Sequence, residues 1–373
     1  MYDLAKAPAM SQTITTTLGP VRLLGQNATP IWGMSNAERS RRMAESAAKS
    51  GSTLAPGHEL LFNLSYAFDP LLLRLVFETP GTLFAWGDAP IVGQIPQDSD
   101  PMQAAKIIDL SDGRSLYNRQ LRKLEQPMVR ELTPASRKEI ERRSYFGAYK
   151  GVTDLLTKYL WPELALVLTR IAASLGLTPN MVTGMGATLC VLATWLFAQG
   201  HYWTGMLAGF IFMVFDTVDG KLARCTITAS KWGNIFDHGV DLVHPPFWWY
   251  FWGVGLGAWG LALSTQAFVL VMAAVVAGYV LQRVIEGLFI KDFGMDIHVW
   301  ERFDSQFRLI TARRNPNMVI LFAGLLIGRP DLGLIALAWW IVISLAVHAI
   351  RLAQAYARRK GGGTITSWMD QPA

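Results

Sequence analysis

Four aspartates, Asp216, Asp219, Asp237 and Asp241, stand close together in a chain of 373 residues. On helices, Asp216 and Asp219 are three apart and Asp237 and Asp241 four apart, so each pair shares a face. Carboxylates so placed repel one another unless most are protonated or cations lie among them. Oxygen donors with no His or Cys at the motif positions favour Mg²⁺ or Mn²⁺ over zinc. Gly220 follows Asp219 and Gly233 stands one turn before Asp237, leaving room for a ligand beside the carboxylates. Lys221 and Arg224 are close by, and the group suits a pyrophosphate whose charge metal and guanidinium would neutralise. His238 is one helical step from Asp237 and points elsewhere.

The elements that position these acids lie in a membrane. Only 17% of the residues are charged and 51% are hydrophobic, against about 25% charged in a soluble domain. Ile171 to Phe215 holds no Asp, Glu, Lys or Arg and is interrupted at Gly200-His201-Tyr202-Trp203, which predicts helices near 179–199 and 203–224. Leu242 to Gln282 holds two more, a short run after Asn315 a fifth, and Leu332 to Ile350 a sixth. Segments 221–231, 283–314 and the tail are rich in Lys and Arg, whereas 200–203 and 255–264 have none, so both termini are expected in the cytoplasm. Met1 to Met10 has no apolar core of signal-peptide type, in keeping with that placement. Two cysteines, Cys190 and Cys225, exclude a disulfide framework or a Cys-rich zinc site.

Residues 1–140 read differently, with frequent charges, Pro and Gly. Short runs such as Leu60–Leu64 and Thr82–Trp86 predict strands, and Asn36–Lys49 predicts a helix. The expected fold class is an α-helical integral membrane protein, a six-transmembrane-helix bundle with an N-terminal cytosolic α/β or α+β domain. Its parts are a cytosolic domain at 1–140, an amphipathic juxtamembrane helix at 141–177, the membrane domain at 178–355 and a cytosolic tail at 356–373. The tryptophans at 248, 249 and 252 read as an aromatic belt at the membrane interface. Gly255-x-Gly257-x-x-Gly260 imitates a dinucleotide fingerprint but has no strand before it.

The pattern D-x2-D-G-x2-A-R-x8-G-x3-D-x3-D from Asp216 to Asp241 resembles the signature of the CDP-alcohol phosphotransferase family at every fixed position. Thr178-Pro179-Asn180 and Thr183 are similar to the family's opening of the first membrane helix, so the resemblance covers about 178–355. It implies transfer of a substituted phosphate from a CDP-linked lipid or alcohol, probed first with CDP-diacylglycerol, to a hydroxyl acceptor with release of CMP. It further implies that Asp216, Asp219, Asp237 and Asp241 hold one or two Mg²⁺ or Mn²⁺ ions and that Asp241 is the base. Gly220, Arg224 and Ser230, with Asn180 and Thr183, fall where the family binds the CDP moiety. Arg313 and Arg314 look like the basic residues with which inositol-phosphate-transferring members recognise an acceptor phosphate, which implies a phosphorylated polyol such as inositol phosphate or glycerol phosphate. The family analogy also implies a homodimer surrounded by membrane lipid, acting in phospholipid synthesis at the cytoplasmic membrane, with no nucleic-acid partner.

Gly33–Arg42 and Leu61–Pro70 are similar to pieces of a sugar-nucleotidyltransferase fold. The G-x-G-T-R loop is missing and Asn63–Ser65 lacks a metal-binding Asp, so a degenerate, non-catalytic domain is expected. The rival reading, an ion-coupled transporter or lipid-binding protein using the Asp cluster, leaves Ala223-Arg224 and Gly233 unexplained, and the sequence has no two-fold repeat.

Overall fold

Residues 11–131 build a sheet because apolar runs of strand length alternate with turn residues. The computed structural model describes residues 11–370 apart from 105, 114–115, 119–122 and 150, and within this range the side chains of 103, 116–118, 123–125, 231, 234, 237 and 238 are also left out. The order is β1 (Ser11–Thr16), β2 (Gly19–Leu24), α1 (Asn36–Lys49), β3 (His58–Asn63), β4 (Tyr66–Phe68), α2 (Pro70–Glu78), β5 (Thr82–Trp86), β6 (Ala89–Pro96) and β7 (Lys106–Asp109). A hairpin of β8 (Leu116–Asn118) and β9 (Lys123–Glu125) follows, then β10 (Val129–Glu131), which pairs with β4. The main sheet runs β1-β2-β3-β6-β5-β7 and is mixed, with β2–β3 and β5–β7 parallel.

Successive residues of β3 serve opposite faces, as the two-residue period of a strand requires. Leu60 and Phe62 join the core under α1 and α2 with Met43, Leu72 and Phe84, while Leu61 packs with Leu24, Leu83 and Ile95 on the other side. Ser35 caps α1 by accepting from the Glu38 amide at 3.2 Å. Asn36 and Arg39 hold α1 to the β3–β4 turn: Asn36 donates to the Leu64 and Tyr66 carbonyls, and Arg39 donates to that of Phe68.

Instead of the single juxtamembrane helix expected, the chain forms α3 (Arg137–Gly147), one π-helical turn at Leu156–Leu160, and α4 (Pro162–Ser174). Pro162 cannot continue a preceding helix but fits the first turn of a new one. Ala165, Leu166, Thr169 and Ala172 of α4 are buried, while Leu164, Val167 and Ile171 are exposed.

The membrane domain comprises α5 (Pro179–Ala198), α6 (Tyr202–Cys225), α7 (Lys231–Gly255), α8 (Thr265–Phe293), a short α9 (Arg302–Phe307), α10 (Arg314–Leu326) and α11 (Pro330–Lys360). Among the described residues, α5, α8 and α11 are the helices long and apolar enough by length and composition to cross a membrane, three where six spans were expected. With 13 residues, α10 rises only about 20 Å, short of the ~30 Å hydrocarbon core. The aspartate signature itself lowers the apolarity of α6 and α7.

The tryptophan belt is corrected. Trp248, Trp249 and Trp252 are among the most deeply buried side chains of the molecule. Trp248 donates to the Cys190 carbonyl and Trp252 to that of Pro330, each at 3.1 Å, and Tyr202 stacks on Trp252 with ring centroids 4.2 Å apart. These rings join α5, α6, α7 and α11, with the Trp248 and Trp252 indole N–H groups each donating to a carbonyl inside the bundle. The tail also docks: Trp368 donates its amide to the Trp300 carbonyl at 3.1 Å, and Ser367 donates to that of Val299 at 2.8 Å.

Candidate active site

The signature acids gather where the C-terminal part of α6, the N-terminal part of α7 and the first residue of α10 meet. Asp219 is buried, and its Oδ2 accepts from the Thr183 hydroxyl of α5 at 2.5 Å. Asp216 lies one turn earlier on α6, and Asp241 comes from α7. Asp237 is on the same helix as Asp241; its side chain, like that of His238, lies outside the described residues.

A guanidinium sits between the two helices. Arg314 Nη2 meets Asp216 Oδ2 at 2.5 Å, its Nη1 donates to Asp241 Oδ1, and the group lies over the Phe212 ring, 5.0 Å from the centroid. Its Nε donates to Asn315 Oδ1 at 3.1 Å; the Asn315 amide in turn donates to Asp154 at 2.9 Å and Thr157 at 3.1 Å. Sequence reasoning missed Asp154, Thr157 and Asn315, which carry no motif spacing.

The donor set fits a hard divalent cation. Asp216 and Asp241 already converge on one positive charge, Asp219 stands beside them, and every ligand atom is an oxygen.

Two signature glycines make room for protein groups rather than directly for a ligand. A Cβ on Gly220 would lie 3.1 Å from Arg224 Nη2, and one on Gly233 would lie 2.8 Å from Asn180 Oδ1 and 3.0 Å from Ser230 Oγ. Ser230 caps α7, accepting from the Gly233 amide at 2.9 Å. Asn180, Ser230 and Gly233 therefore form one contact, and Thr183 is joined to Asp219. Lys221 is buried, donates to the Ala148 carbonyl at 3.0 Å and lies over the Tyr149 ring.

Arg313 and Arg314 separate. Arg313 leaves the acidic site and meets Glu286 Oε2 at 2.5 Å; Arg283 meets Glu286 Oε1 at 2.8 Å, and His298 and His348 lie at 3.3 and 3.7 Å from that same oxygen. The ligand atoms of Glu286, His298 and His348 are mutually within 4.8 Å. Two guanidiniums already occupy the carboxylate, so the trio does not fit a cation. His298 lies outside the spans, and burial pushes its imidazole down to about 4, which keeps it neutral.

Residues 176–294 match the family model for CDP-alcohol phosphatidyltransferase. Cholinephosphotransferase 1 of Gallus gallus is 34% identical over 31% of this chain and 36% of its own length. Archaetidylinositol phosphate synthase of Pyrococcus horikoshii is 38% identical over 21% of this chain and 44% of its own length. The chain thus spans less than half the length of either of these curated relatives. Among solved structures, Mycobacterium tuberculosis phosphatidylinositol phosphate synthase with CDP-DAG bound overlaps loosely, at 18% identity and a TM-score of 0.39 over 57% of this chain and 99% of that one.

Proposed function

We propose, from the premise that residues 176–294 are a domain of the CDP-alcohol phosphatidyltransferase family, that this membrane protein transfers a substituted phosphate from a CDP-linked donor to an alcohol with release of CMP. The observation that carries the reading is the convergence of Asp216 and Asp241, from two helices, on one cationic group beside the buried Asp219. Asp216, Asp219, Asp237 and Asp241 are the residues that would hold Mg²⁺ or Mn²⁺, which when bound supplies charge neutralisation for the diphosphate.

The other roles fall to the chain itself. Asp241 is the most open of the described acids, with 41% of its side chain exposed, which suits a base that takes the acceptor hydroxyl proton. Thr183 orients Asp219 by donating to one of its oxygens. Gly220 lets the Arg224 guanidinium lie against α6, and Asn180 and Ser230 face the donor end. The donor is a CDP-linked lipid such as CDP-diacylglycerol, and the active site and both termini face the cytoplasm.

The acceptor in this reading is a phosphorylated polyol. Arg283 and Arg313 share the single carboxylate of Glu286, leaving excess positive charge one residue from Arg314, and a phosphate on the acceptor matches that excess. Arg314 is committed to Asp216 and Asp241, so Arg313 is the informative probe of the pair.

The test is CMP release by purified protein in detergent, with CDP-diacylglycerol, Mg²⁺ or Mn²⁺, and a panel of glycerol 3-phosphate, inositol 1-phosphate, inositol and serine. Acceptor-dependent CMP that disappears in Asp241→Asn supports the reading. No CMP from any pairing, with folded protein and metal present, refutes it for this donor. A phosphorylated acceptor whose KM is unchanged in Arg313→Ala counts against the acceptor assignment.

A further inference from the structure

The N-terminal domain meets the membrane helices at residues 226–230, the loop that joins α6 to α7 in the middle of the aspartate signature. Ile227 has φ of 54°, the left-handed region, which a β-branched residue rarely adopts. Its side chain packs against the N-terminal core that contains Met43 and Phe68. Strain of this kind persists only where surrounding contacts over-determine it, and here the contacts come from the other domain.

A second contact fixes the same loop. Arg42 of α1 donates from Nη1 to the Thr226 carbonyl at 3.0 Å, while its Nε donates to Glu38 Oε1 at 2.7 Å. Between the two domains lies a cavity of about 400 Å³, lined by Trp32 and Arg42 on one side and by Asn180, Thr228 and Ser230 on the other. That volume lies within the ~300–1,000 Å³ of small-molecule sites. Its polar lining is one guanidinium, hydroxyls and a carboxamide, groups that bind phosphate oxygens and a pyrimidine edge. Asn180, which lines the cavity, stands three residues before Thr183 on α5, so one helix face carries both a cavity-lining side chain and the hydroxyl that donates to Asp219.

We propose that the N-terminal domain completes the donor site: Arg42, and the α6–α7 loop it holds, enclose the cytidine nucleotide of the CDP-linked donor in this cavity. The proposal deepens the donor reading above and rests on it. Arg42 is in contact with both the cavity and the signature loop, which makes the domain outside the family match a working part of the site.

The test uses the full chain in detergent with Mg²⁺, reading CMP affinity by calorimetry, donor KM and kcat by CMP release, and the melting temperature. In Arg42→Ala, CMP affinity and donor KM are expected to weaken together by ~10-fold or more, with kcat within about twofold. Arg42→Lys, which keeps the charge but loses the fork, recovers part of the loss. Thr228→Trp fills the cavity from its exposed rim and is expected to abolish CMP binding without lowering the melting temperature; it also covers the case in which Arg42→Ala fails to fold. Unchanged CMP affinity in folded Arg42→Ala or Thr228→Trp overturns the proposal, as does wild-type protein that binds no CMP. CMP binding that weakens as expected in a protein that releases no CMP from any donor would sink the reaction while leaving the nucleotide enclosure standing.

Discussion

Arg313 and Arg314 are consecutive, yet they serve two clusters with opposite charge balance. Around Arg314, Asp216 and Asp241 share one guanidinium with Asp219 beside them, so carboxylates are in excess. Around Arg313, a single Glu286 is shared by two guanidiniums and faced by two buried imidazoles. Both are clusters of buried or half-buried charged groups on neighbouring helices. The difference lies in the described contacts: the first brings two carboxylates to one guanidinium, an arrangement that suits an added cation, while the second brings two guanidiniums to one carboxylate. Closeness of ligand atoms alone, which the Glu286 trio has, does not make a metal site.

The largest expected effect breaks the first cluster. Asp241→Asn should lower CMP release by ~10²–10⁴-fold, the range for loss of a general base, while circular dichroism and melting temperature stay near wild type. Activity retained within an order of magnitude would remove Asp241 from the chemistry.

Next in size is the second cluster. Glu286→Ala leaves Arg283 and Arg313 facing each other without their carboxylate, which should cost about 3–5 kcal/mol of stability. Thermal unfolding checks this, and the loss should be the same with Mg²⁺ or with EDTA. A loss that Mg²⁺ restores would mean that this cluster does bind a cation.

Arg314→Gln sharpens the contrast. Removing the guanidinium leaves Asp216 and Asp241 unbalanced, so the variant should lose about 1–3 kcal/mol in EDTA and recover most of it with Mn²⁺ or Mg²⁺. An identical metal-induced shift in variant and wild type would show that the arginine and the ion do not answer the same charge.

A surface pair gives the smallest effect. Arg41 first, then Arg42, holds the half-buried Glu38 carboxyl down at about 2, from 4.5. A depressed carboxyl stabilises the fold above its unfolded pKa and loses that contribution as pH falls through the folded one. Glu38→Gln should therefore cost ~0.2–1 kcal/mol near neutral pH. The gap to wild type in melting temperature should narrow as pH drops from about 4.5 towards 2; a gap that widens instead would reverse the sign of the argument.

The aspartates were legible because their helical spacing is a local property. Strands at Leu60–Leu64 and Thr82–Trp86 and the helix at Asn36–Lys49 were legible for the same reason: period and punctuation are written in neighbouring residues. The tryptophan run was misread because an interfacial indole and a buried one have the same local pattern. Which is realised depends on whether a carbonyl such as that of Cys190 or Pro330 waits on another helix. Asp154 was invisible because its partners, Asn315 and Thr157, include one from the far end of the chain.

What the sequence by itself determined is the membrane class, the signature and the placing of Asp216, Asp219 and Asp241 on helices, since composition and short-range periodicity suffice for these. Tertiary structure alone decided that Arg314 enters the acidic site while Arg313 turns to Glu286, that Lys221 donates to the Ala148 carbonyl just beyond α3, and that the N-terminal domain reaches the signature loop through Arg42. The reason is physical: a charged side chain goes to the partner that compensates its lost hydration, and that partner is brought near by packing between segments far apart in the chain.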